Sequence, residues 1–153
     1  MLNSISAMQW AINHAQTNRS LTLFKRAFAK GKKARLLAAL LNKRNQLLSI
    51  EQITLGKAIY TRCCGGLKTV PINMIQGSEA RSEDFDRSFN PLKEYNMHRW
   101  MGIAMMRLKG NPLPAVNLIQ IGNLYMVFDG HHRISVARAL GEEFIEANVT
   151  RWK

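Results

Sequence analysis

Residues 125–141 constrain the fold of this chain more than any other stretch, because they predict a strand, a sharp turn and a short helix in direct succession. The residues from Tyr125 to Phe128 have the β-branched and aromatic composition of a buried strand. Asp129 and Gly130 then interrupt the strand, and glycine can adopt the positive φ that a tight exit often requires. After this turn the apolar residues recur at helical spacing, at Ile134, Ala137 and Leu140. Gly141 stands where a helix usually ends.

The first turn of this helix has the composition of an anion-binding site. A helix that begins directly after a glycine exposes unpaired backbone N–H groups and the positive end of a dipole, both of which attract phosphate or carboxylate. The Arg133 guanidinium can hold an anion through two parallel hydrogen bonds, and the imidazoles of His131 and His132 can donate a hydrogen bond or transfer a proton near neutral pH. The predicted phosphate- or nucleotide-binding residues are Asp129, Gly130, His131, His132, Arg133 and Ser135.

Asp129 is the acidic member of this group, and three roles are open to it. It can orient a histidine, cap the helix, or hold a metal ion that bridges to phosphate. In a purely structural interpretation, Asp129 caps the helix and the residues from His131 to Arg133 are solvated. The density of polar groups within one turn favours a binding site over that interpretation.

The sequence Asp-Gly-His-His-Arg at residues 129–133 resembles the signature of the ParB/sulfiredoxin superfamily, in which a Gly-X-His-Arg or Gly-X-Arg-Arg turn follows a strand. The likeness extends back to residues 70–75, which are similar to the first strand of ParB-like domains, and it covers roughly residues 69 to 150. It implies a domain that binds nucleotides, binds or cuts DNA, or transfers phosphate. Sulfiredoxins carry their reactive cysteine at the position of His131, so the resemblance argues against sulfiredoxin chemistry.

An enzymatic interpretation rests on the same resemblance. The turn looks most like the branch that includes an ADP-dependent serine kinase, whose loop after the first strand supplies a glutamate to the reacting hydroxyl. By position Glu79 is the equivalent here, with Glu83 and Asp84 behind it. A carboxylate that faces a cationic anion site suits the activation of a hydroxyl group. The residues predicted to be catalytic are Glu79, His131 and His132.

In that enzyme, Arg133 would hold the phosphoryl group and Mg²⁺ would assist the transfer. In the alternative interpretation, the acids of the loop form surface ion pairs with Arg81 and Arg87. The domain would then be a regulatory binding module without catalysis.

The charge of the chain is concentrated in its first part. The formal net charge is +12. Residues 19–68 hold twelve Lys and Arg and one acid, whereas residues 69–153 hold ten Lys and Arg and nine Asp and Glu. This distribution predicts a basic arm that binds a polyanion, with nucleic acid as the expected partner and an anionic membrane surface as the alternative. The predicted nucleic-acid-binding residues are Lys25, Arg26, Lys30, Lys32, Lys33, Arg35, Lys43 and Arg44.

Three helices are expected in the arm, separated by a break at residues 18–20 and by Gly31. The third helix, over residues 32–48, is expected to pack an apolar stripe on the body of the protein while its basic face meets phosphates. The alternative is a solvated basic face without a partner, and the near absence of acids favours the first interpretation. The leucines of this stripe are Leu36, Leu37, Leu40, Leu41, Leu47 and Leu48. A capping box that begins at Ser49 predicts a further short helix, which ends at about Ile59.

The predicted fold is α+β, a small mixed β-sheet with packed helices, preceded by the basic helical arm. The arm and a Gly-containing connector occupy residues 1–68, and the ParB-like domain occupies residues 69–153. Strands are expected over Thr69–Ile75, Ala115–Ile121, Leu124–Phe128 and Phe144–Val149, with Gly122-Asn123 as a two-residue hairpin turn. A long helix is expected over Leu92–Lys109, from which His98 and Arg99 are candidates to face the site.

The cellular compartment is inferred from general features of the sequence. No apolar run approaches the length of a bilayer span, and the N-terminus has no secretory signal pattern. The two cysteines, Cys63 and Cys64, are adjacent, and neighbours in sequence form a disulfide only with severe strain. We therefore expect two reduced thiols in a cytoplasmic protein.

These features favour a ParB-like protein that binds a nucleotide or phosphate in association with nucleic acid. They leave open which nucleotide it binds and whether Mg²⁺ accompanies it. Full ParB proteins carry a helix-turn-helix after this domain, whereas the chain ends at Lys153, so sequence-specific operator binding is not expected.

Overall fold

The structure is a computed structural model that describes residues 2–56, 58, 61–80 and 83–153. The elements in chain order are α1 (Leu2–Leu40), α2 (Ile50–Thr54), β1 (Arg62–Pro71), β2 (Ile75–Ser78), α3 (Met97–Leu108), β3 (Val116–Ile121), β4 (Leu124–Asp129), α4 (His131–Ala139) and β5 (Phe144–Trp152). Single turns of 3-10 helix precede β2 and α3, at Ile72–Met74 and Glu94–Asn96. The prediction of an α+β fold, a small mixed sheet with packed helices preceded by a helical arm, is confirmed.

The five strands form one mixed sheet in the order β1-β5-β3-β4-β2. The pairs β1–β5 and β3–β4 are antiparallel, whereas β5–β3 and β4–β2 are parallel. The predicted hairpin is present, because Ile121 pairs with Leu124 across the turn and Gly122 has a φ of 60°. Since β2 runs parallel to β4, the carboxyl ends of both strands lie on the side of the sheet where α4 begins.

The first part of the sheet differs from the sequence prediction. One strand was expected over Thr69–Ile75, but the chain forms β1 and β2 at opposite edges of the sheet, with a 3-10 turn between them. Pro71 ends β1 because proline cannot donate a hydrogen bond to a strand ladder. The Gly-containing connector that was expected between the arm and residue 69 belongs to β1. This strand pairs with β5 and has a bulge between Cys64 and Gly66. Cys63 and Cys64 are exposed and free, as expected.

The long helix α1 has neither of the two predicted breaks. Its buried positions are Ser20, Phe24, Ala27 and Gly31, which follow helical spacing. The Phe24 ring meets the Trp100 ring of α3 edge-on at 5.6 Å between centroids. A Cβ at Gly31 would lie 3.0 Å from the Pro91 carbonyl oxygen, so the glycine allows the helix to approach the loop closely. Tertiary packing therefore overrides the local tendency to break.

The leucine stripe predicted for the third arm helix is divided. Leu36, Leu37, Leu40 and Leu41 are exposed, whereas Leu47 is buried in the core beneath the sheet. Since α1 ends at Leu40, the leucines from Leu41 onward follow the loop and do not continue the helix face of the earlier ones. The capping box is confirmed, with Ser49 and Gln52 exchanging hydrogen bonds, and α2 ends at Thr54. The helix was expected to reach about Ile59, but it ends earlier because Leu55 adopts a left-handed conformation with a φ of 54°.

Helix α4 lies between two hydrophobic cores. Ile134 and Ala137 belong to the core of the sheet, and Val136 belongs to the core formed with α1 and α3. A short helix that is buried on most of its sides has its position fixed by the surrounding elements. Within the described residues, no helix combines the length and the apolar composition of a membrane span.

Candidate anion-binding site at the start of α4

Gly130 forms the corner between β4 and α4. Its φ is 107°, a conformation that residues with a Cβ rarely adopt. A Cβ at this position would lie 2.5 Å from Cγ1 and 2.8 Å from Cβ of Val116 on β3. Glycine is therefore required both by the backbone conformation and by the close approach of the neighbouring strand. This agrees with the sharp turn that the sequence predicted.

His131 is held by the end of β2. Its Nε2 lies 2.7 Å from the Ser78 hydroxyl oxygen, and both side chains are buried. The ring lies nearly parallel to the Phe85 ring, with 6.1 Å between the centroids. Sequence reasoning did not identify Ser78 as part of the site. The parallel pairing of β2 with β4 brings it there, and that pairing is not a local property of the sequence.

His132 is held from the side of α3. Its Nε2 lies 3.2 Å from Oδ1 of Asn96, and its ring meets the Phe85 ring edge-on at 5.2 Å between centroids. The side chains of both histidines are only 5% exposed. The imidazoles are therefore fixed by buried hydrogen bonds and by one aromatic ring, and the interpretation in which they are solvated does not describe the fold.

Arg133 connects α4 to the segment before β3. Its guanidinium donates from Nη1 to the carbonyl oxygens of Pro114 and Ala115, at 2.7 and 2.9 Å, and from Nη2 to the Asp129 carboxylate. The Asp129 side chain is 55% exposed. Much of the hydrogen-bonding capacity of Arg133 is thus used within the protein, and Asp129 balances its charge, a role that the sequence had not suggested.

A pocket of about 270 Å³ lies in front of the α4 N-terminus. It is lined by Ala80, Arg99, Ile103, Phe128, Asp129, Gly130, His131, His132 and Arg133. Arg99 reaches the pocket from α3, whereas His98, the other candidate on that helix, does not line it. Five of the six predicted phosphate-binding residues therefore meet at one cavity, with a second arginine beside them.

The remaining predicted site residues lie away from this pocket. The Ser135 hydroxyl is buried and accepts a hydrogen bond from the Trp100 indole N–H at 2.8 Å. Glu79 is exposed directly after β2, and only its neighbour Ala80 lines the pocket. Asp84 accepts a hydrogen bond from the Tyr95 hydroxyl.

The alternative prediction was that the acids of this loop form surface ion pairs with Arg81 and Arg87. Glu83 and Arg87 are both exposed, and Arg81 lies outside the described residues. The catalytic role of Glu79 stays a prediction.

A metal ion at this pocket would need oxygen atoms of a bound phosphate compound as additional ligands. Among the described residues, no group of three His, Cys, Asp or Glu side chains could hold a metal. Asp129 is the carboxylate of the pocket, and its Oδ2 is bonded to Arg133. Mg²⁺ commonly binds through one or two carboxylates together with substrate phosphates. If Mg²⁺ accompanied a bound phosphate group, Asp129 would be the pocket residue that holds it, and the ion would neutralise phosphate charge.

The eight predicted nucleic-acid-binding residues are all exposed, but they lie on different surfaces. Arg26, Lys30 and Lys33 line one groove, which α1 shares with the end of α4. Another pocket is lined by Arg35, Lys43 and Arg44 together with Glu83. The Lys32 ammonium lies over the Phe28 ring, at 4.5 Å from the centroid.

No protein-family model matches the chain, and no curated protein matches it significantly. Among solved structures, the crystal structure of sulfiredoxin from Arabidopsis thaliana is similar, with a TM-score of 0.40 and 16% sequence identity. The match covers 54% of this chain and 82% of the sulfiredoxin chain. Such a weak likeness leaves the activity open, so the function has to be inferred from the residues of the site.

Proposed function

We propose that this protein binds the phosphate groups of a nucleotide at the start of α4 and acts as a ParB-like domain in association with nucleic acid. The observation that carries the proposal is the pocket of about 270 Å³ in which the α4 N-terminus, Arg99 and the two histidines meet. The α4 N-terminus and Arg99 attract an anion, and the two buried histidines line the pocket beside them.

The attraction for phosphate comes from the helix terminus and from Arg99. No side chain in the described part of the chain caps the α4 N-terminus, and the positive end of the helix dipole at this terminus attracts an anion. Arg99 is exposed on α3, and its guanidinium can form two parallel hydrogen bonds with a phosphate group. Arg133 contributes mainly by holding α4 in place, because its hydrogen bonds run to backbone carbonyls and to Asp129.

The size of the pocket suits phosphate groups, and its rim favours a nucleotide over free phosphate. Pockets that enclose a whole small-molecule ligand usually exceed about 300 Å³. The pocket in front of α4 is smaller and therefore suits the phosphate groups rather than the nucleoside. Phe128 stands at the pocket with 57% of its side chain exposed, which is unusual for a phenylalanine in a strand. An exposed aromatic ring can stack a base, an interaction worth about 1–3 kcal/mol.

Binding is better supported than catalysis. The Glu79 side chain lies outside the pocket lining, and both histidines are already engaged in buried hydrogen bonds. A general base must come within hydrogen-bond reach of the proton that it removes, although this geometry often tightens only when substrate binds. Phosphotransfer or nuclease activity therefore requires Glu79 to move toward the ligand, whereas binding requires no movement.

Arg99→Gln tests the proposal, with Lys109→Gln as its matched control, since both substitutions remove one positive charge from the exposed surface at or just beyond α3. Binding of nucleoside mono-, di- and triphosphates and of pyrophosphate is measured by isothermal titration calorimetry, with and without Mg²⁺. We expect Arg99→Gln to raise Kd about tenfold or more, which corresponds to about 1.4 kcal/mol, and Lys109→Gln to leave Kd unchanged.

Two further variants identify the ligand and the chemistry. Phe128→Ala is expected to weaken nucleotides but not pyrophosphate. Glu79→Gln is expected to leave binding intact, and the loss of product formation in this variant would instead establish an enzyme. The proposal fails if no phosphate compound binds, or if the variants at Arg99 and Lys109 behave alike.

A further inference from the structure

A groove of about 1060 Å³ runs between α1 and the corner where α4 ends and β5 begins. Four basic side chains line it: Arg26, Lys30, Lys33 and Arg138. The first three come from α1, and the fourth comes from α4, at the end of that helix opposite to the nucleotide pocket. The tertiary structure therefore joins part of the basic arm to a cation that lies more than a hundred residues later in the chain.

The three α1 residues form a line along one wall of the groove. Their spacing of four and three residues places them on one face of the helix. Arg26 and Lys33 are seven residues apart, which corresponds to roughly 10 Å along the helix axis. No acidic residue occurs anywhere in α1, so nothing on the helix neutralises this line.

Arg138 adds a cation that is only partly balanced by the protein. Its Nη2 donates to the Ile72 carbonyl oxygen at 2.8 Å, and the guanidinium lies over the Phe89 ring at 5.6 Å. Its buried Nε has no hydrogen-bond partner among the residues that the structure describes. Burial lowers the pKa of Arg138, although arginine stays charged, while the charge of Asp86 opposes that shift. A partly buried charge without a full set of partners is stabilised by a bound anion.

The acids near Arg138 do not cancel its charge. The buried Asp86 carboxylate accepts hydrogen bonds from the backbone N–H groups of Ser88 and Asn90 and from the Asn90 side chain. In the described part of the chain, Arg138 forms no ion pair with a carboxylate. The half-buried guanidinium therefore presents its positive charge to the groove.

Two acids line the same groove, and one of them is already neutralised. The Glu142 carboxylate receives two hydrogen bonds from Arg107, at 2.7 and 2.8 Å. Glu143 is exposed at the same end. Four cations thus face one unpaired acid, and the groove keeps a positive balance that is strongest along α1.

The geometry points to this groove as the nucleic-acid site of the protein, with the phosphate backbone along α1 and Arg138 at the floor. The inference rests on the nucleic-acid part of the proposed function and makes it specific. A line of cations along the wall of a groove suits the phosphates of a strand, which can enter the groove, whereas a flat membrane surface cannot. Only three of the eight predicted residues on the arm then contact the ligand, and the other five do not.

Two triple variants of equal charge test this division. The groove variant is Arg26→Gln/Lys30→Gln/Lys33→Gln, and the control is Lys25→Gln/Lys32→Gln/Arg35→Gln on the same helix. Affinity for a labelled mixed-sequence oligonucleotide is measured by fluorescence anisotropy over a range of KCl concentrations. Single-stranded DNA, duplex DNA and RNA form separate arms. We expect the groove variant to reduce the slope of log K against log salt by about 2 to 3, and the control to leave the slope unchanged.

Arg138→Gln is the second variant, because the triple variants leave the contacts of Arg138 intact. We expect Arg138→Gln to weaken nucleic-acid binding more than the control triple variant does. Its circular dichroism spectrum should equal that of the wild type. If Arg138→Gln misfolds, the triple variants still decide the question.

Three outcomes would overturn the inference: equal losses in the two triple variants, full affinity in the groove variant, or groove-dependent binding to phosphatidylserine vesicles without binding to nucleic acid. Nucleotide affinity of the groove variant is measured in parallel and should equal that of the wild type. If the groove variant loses affinity only for nucleic acid, the inference about the groove holds. If Arg99→Gln loses affinity only for nucleotide, the nucleotide-binding proposal holds.

Discussion

Helix α4 carries an arginine near each end, and the protein uses the two side chains differently. Arg133 donates to two backbone carbonyls and to the Asp129 carboxylate, so its charge is balanced. Arg138 donates to backbone carbonyls at the other end, without a carboxylate partner in the described residues. An arginine next to a predicted anion-binding motif can therefore be structural, while a less conspicuous arginine in the same helix keeps its charge available.

The two glycines that flank α4 also differ, in how closely the surrounding residues approach them. Gly130 and Gly141 both have a positive φ, of 107° and 78°. A Cβ at Gly130 would collide with Val116, whereas a Cβ at Gly141 would have no atom within 4 Å. The beginning of α4 is thus fixed by close packing against the sheet, and its end is fixed only by backbone conformation.

The largest effect is expected from the glycines. Gly130→Ala should lower the free energy of unfolding by about 3–5 kcal/mol, because it adds a collision to an unfavourable φ. Gly141→Ala should cost only about 1 kcal/mol, because it changes the conformational energy alone. Urea unfolding followed by tryptophan fluorescence, to which the buried Trp100 contributes, measures both. Equal costs at the two positions would show that packing against Val116 does not fix the start of α4.

The arginines should give the next largest difference. Arg133→Gln removes charge-assisted hydrogen bonds from a mostly buried side chain and should cost about 2–3 kcal/mol. Arg138→Gln loses one short hydrogen bond but also removes a partly buried charge, so we expect a cost of about 1 kcal/mol. The same unfolding measurement compares them. A larger cost for Arg138→Gln would mean that Arg138 is the structural arginine and would weaken the case for the groove.

The smallest effects concern the acids that pair at the two ends of α4. Asp129→Asn and Glu142→Gln should each change the stability by less than about 1 kcal/mol, since both ion pairs are at least partly exposed. Both costs should shrink further in 1 M salt. In the absence of Mg²⁺, only Asp129→Asn should tighten nucleotide binding, because it removes a negative charge from the pocket. Calorimetry with both variants tests this, and unchanged affinity in Asp129→Asn would place the phosphates elsewhere.

Local features of the fold were predictable from the sequence. The strand from Tyr125, the turn at Gly130 and the helix that follows depend on backbone preferences within a few residues, and so does the hairpin at Gly122. The capping box at Ser49 is equally local. Each of these was found where the residues predicted it.

The organisation of the first half of the chain was not predictable in this way. Gly31 was expected to break the helix, yet it lies within α1. A glycine is needed there because the loop at Pro91 approaches the helix closely. The strand expected at Thr69 is divided between the two edges of the sheet, since the chain crosses from β1 to β2 after Pro71. In both cases contacts with distant residues decided between local alternatives.

The sequence by itself determined that a glycine turn with two histidines and an arginine would open a helix, and that the basic charge would lie in the first part of the chain. Only the tertiary structure decided which partners these groups have. Ser78 and His131 are 53 positions apart and meet through a parallel strand pair. The α1 residues that face Arg138 were likewise selected by helix packing. Backbone preference acts over one or two turns, whereas the charge and shape of a site depend on which distant surfaces the core brings together.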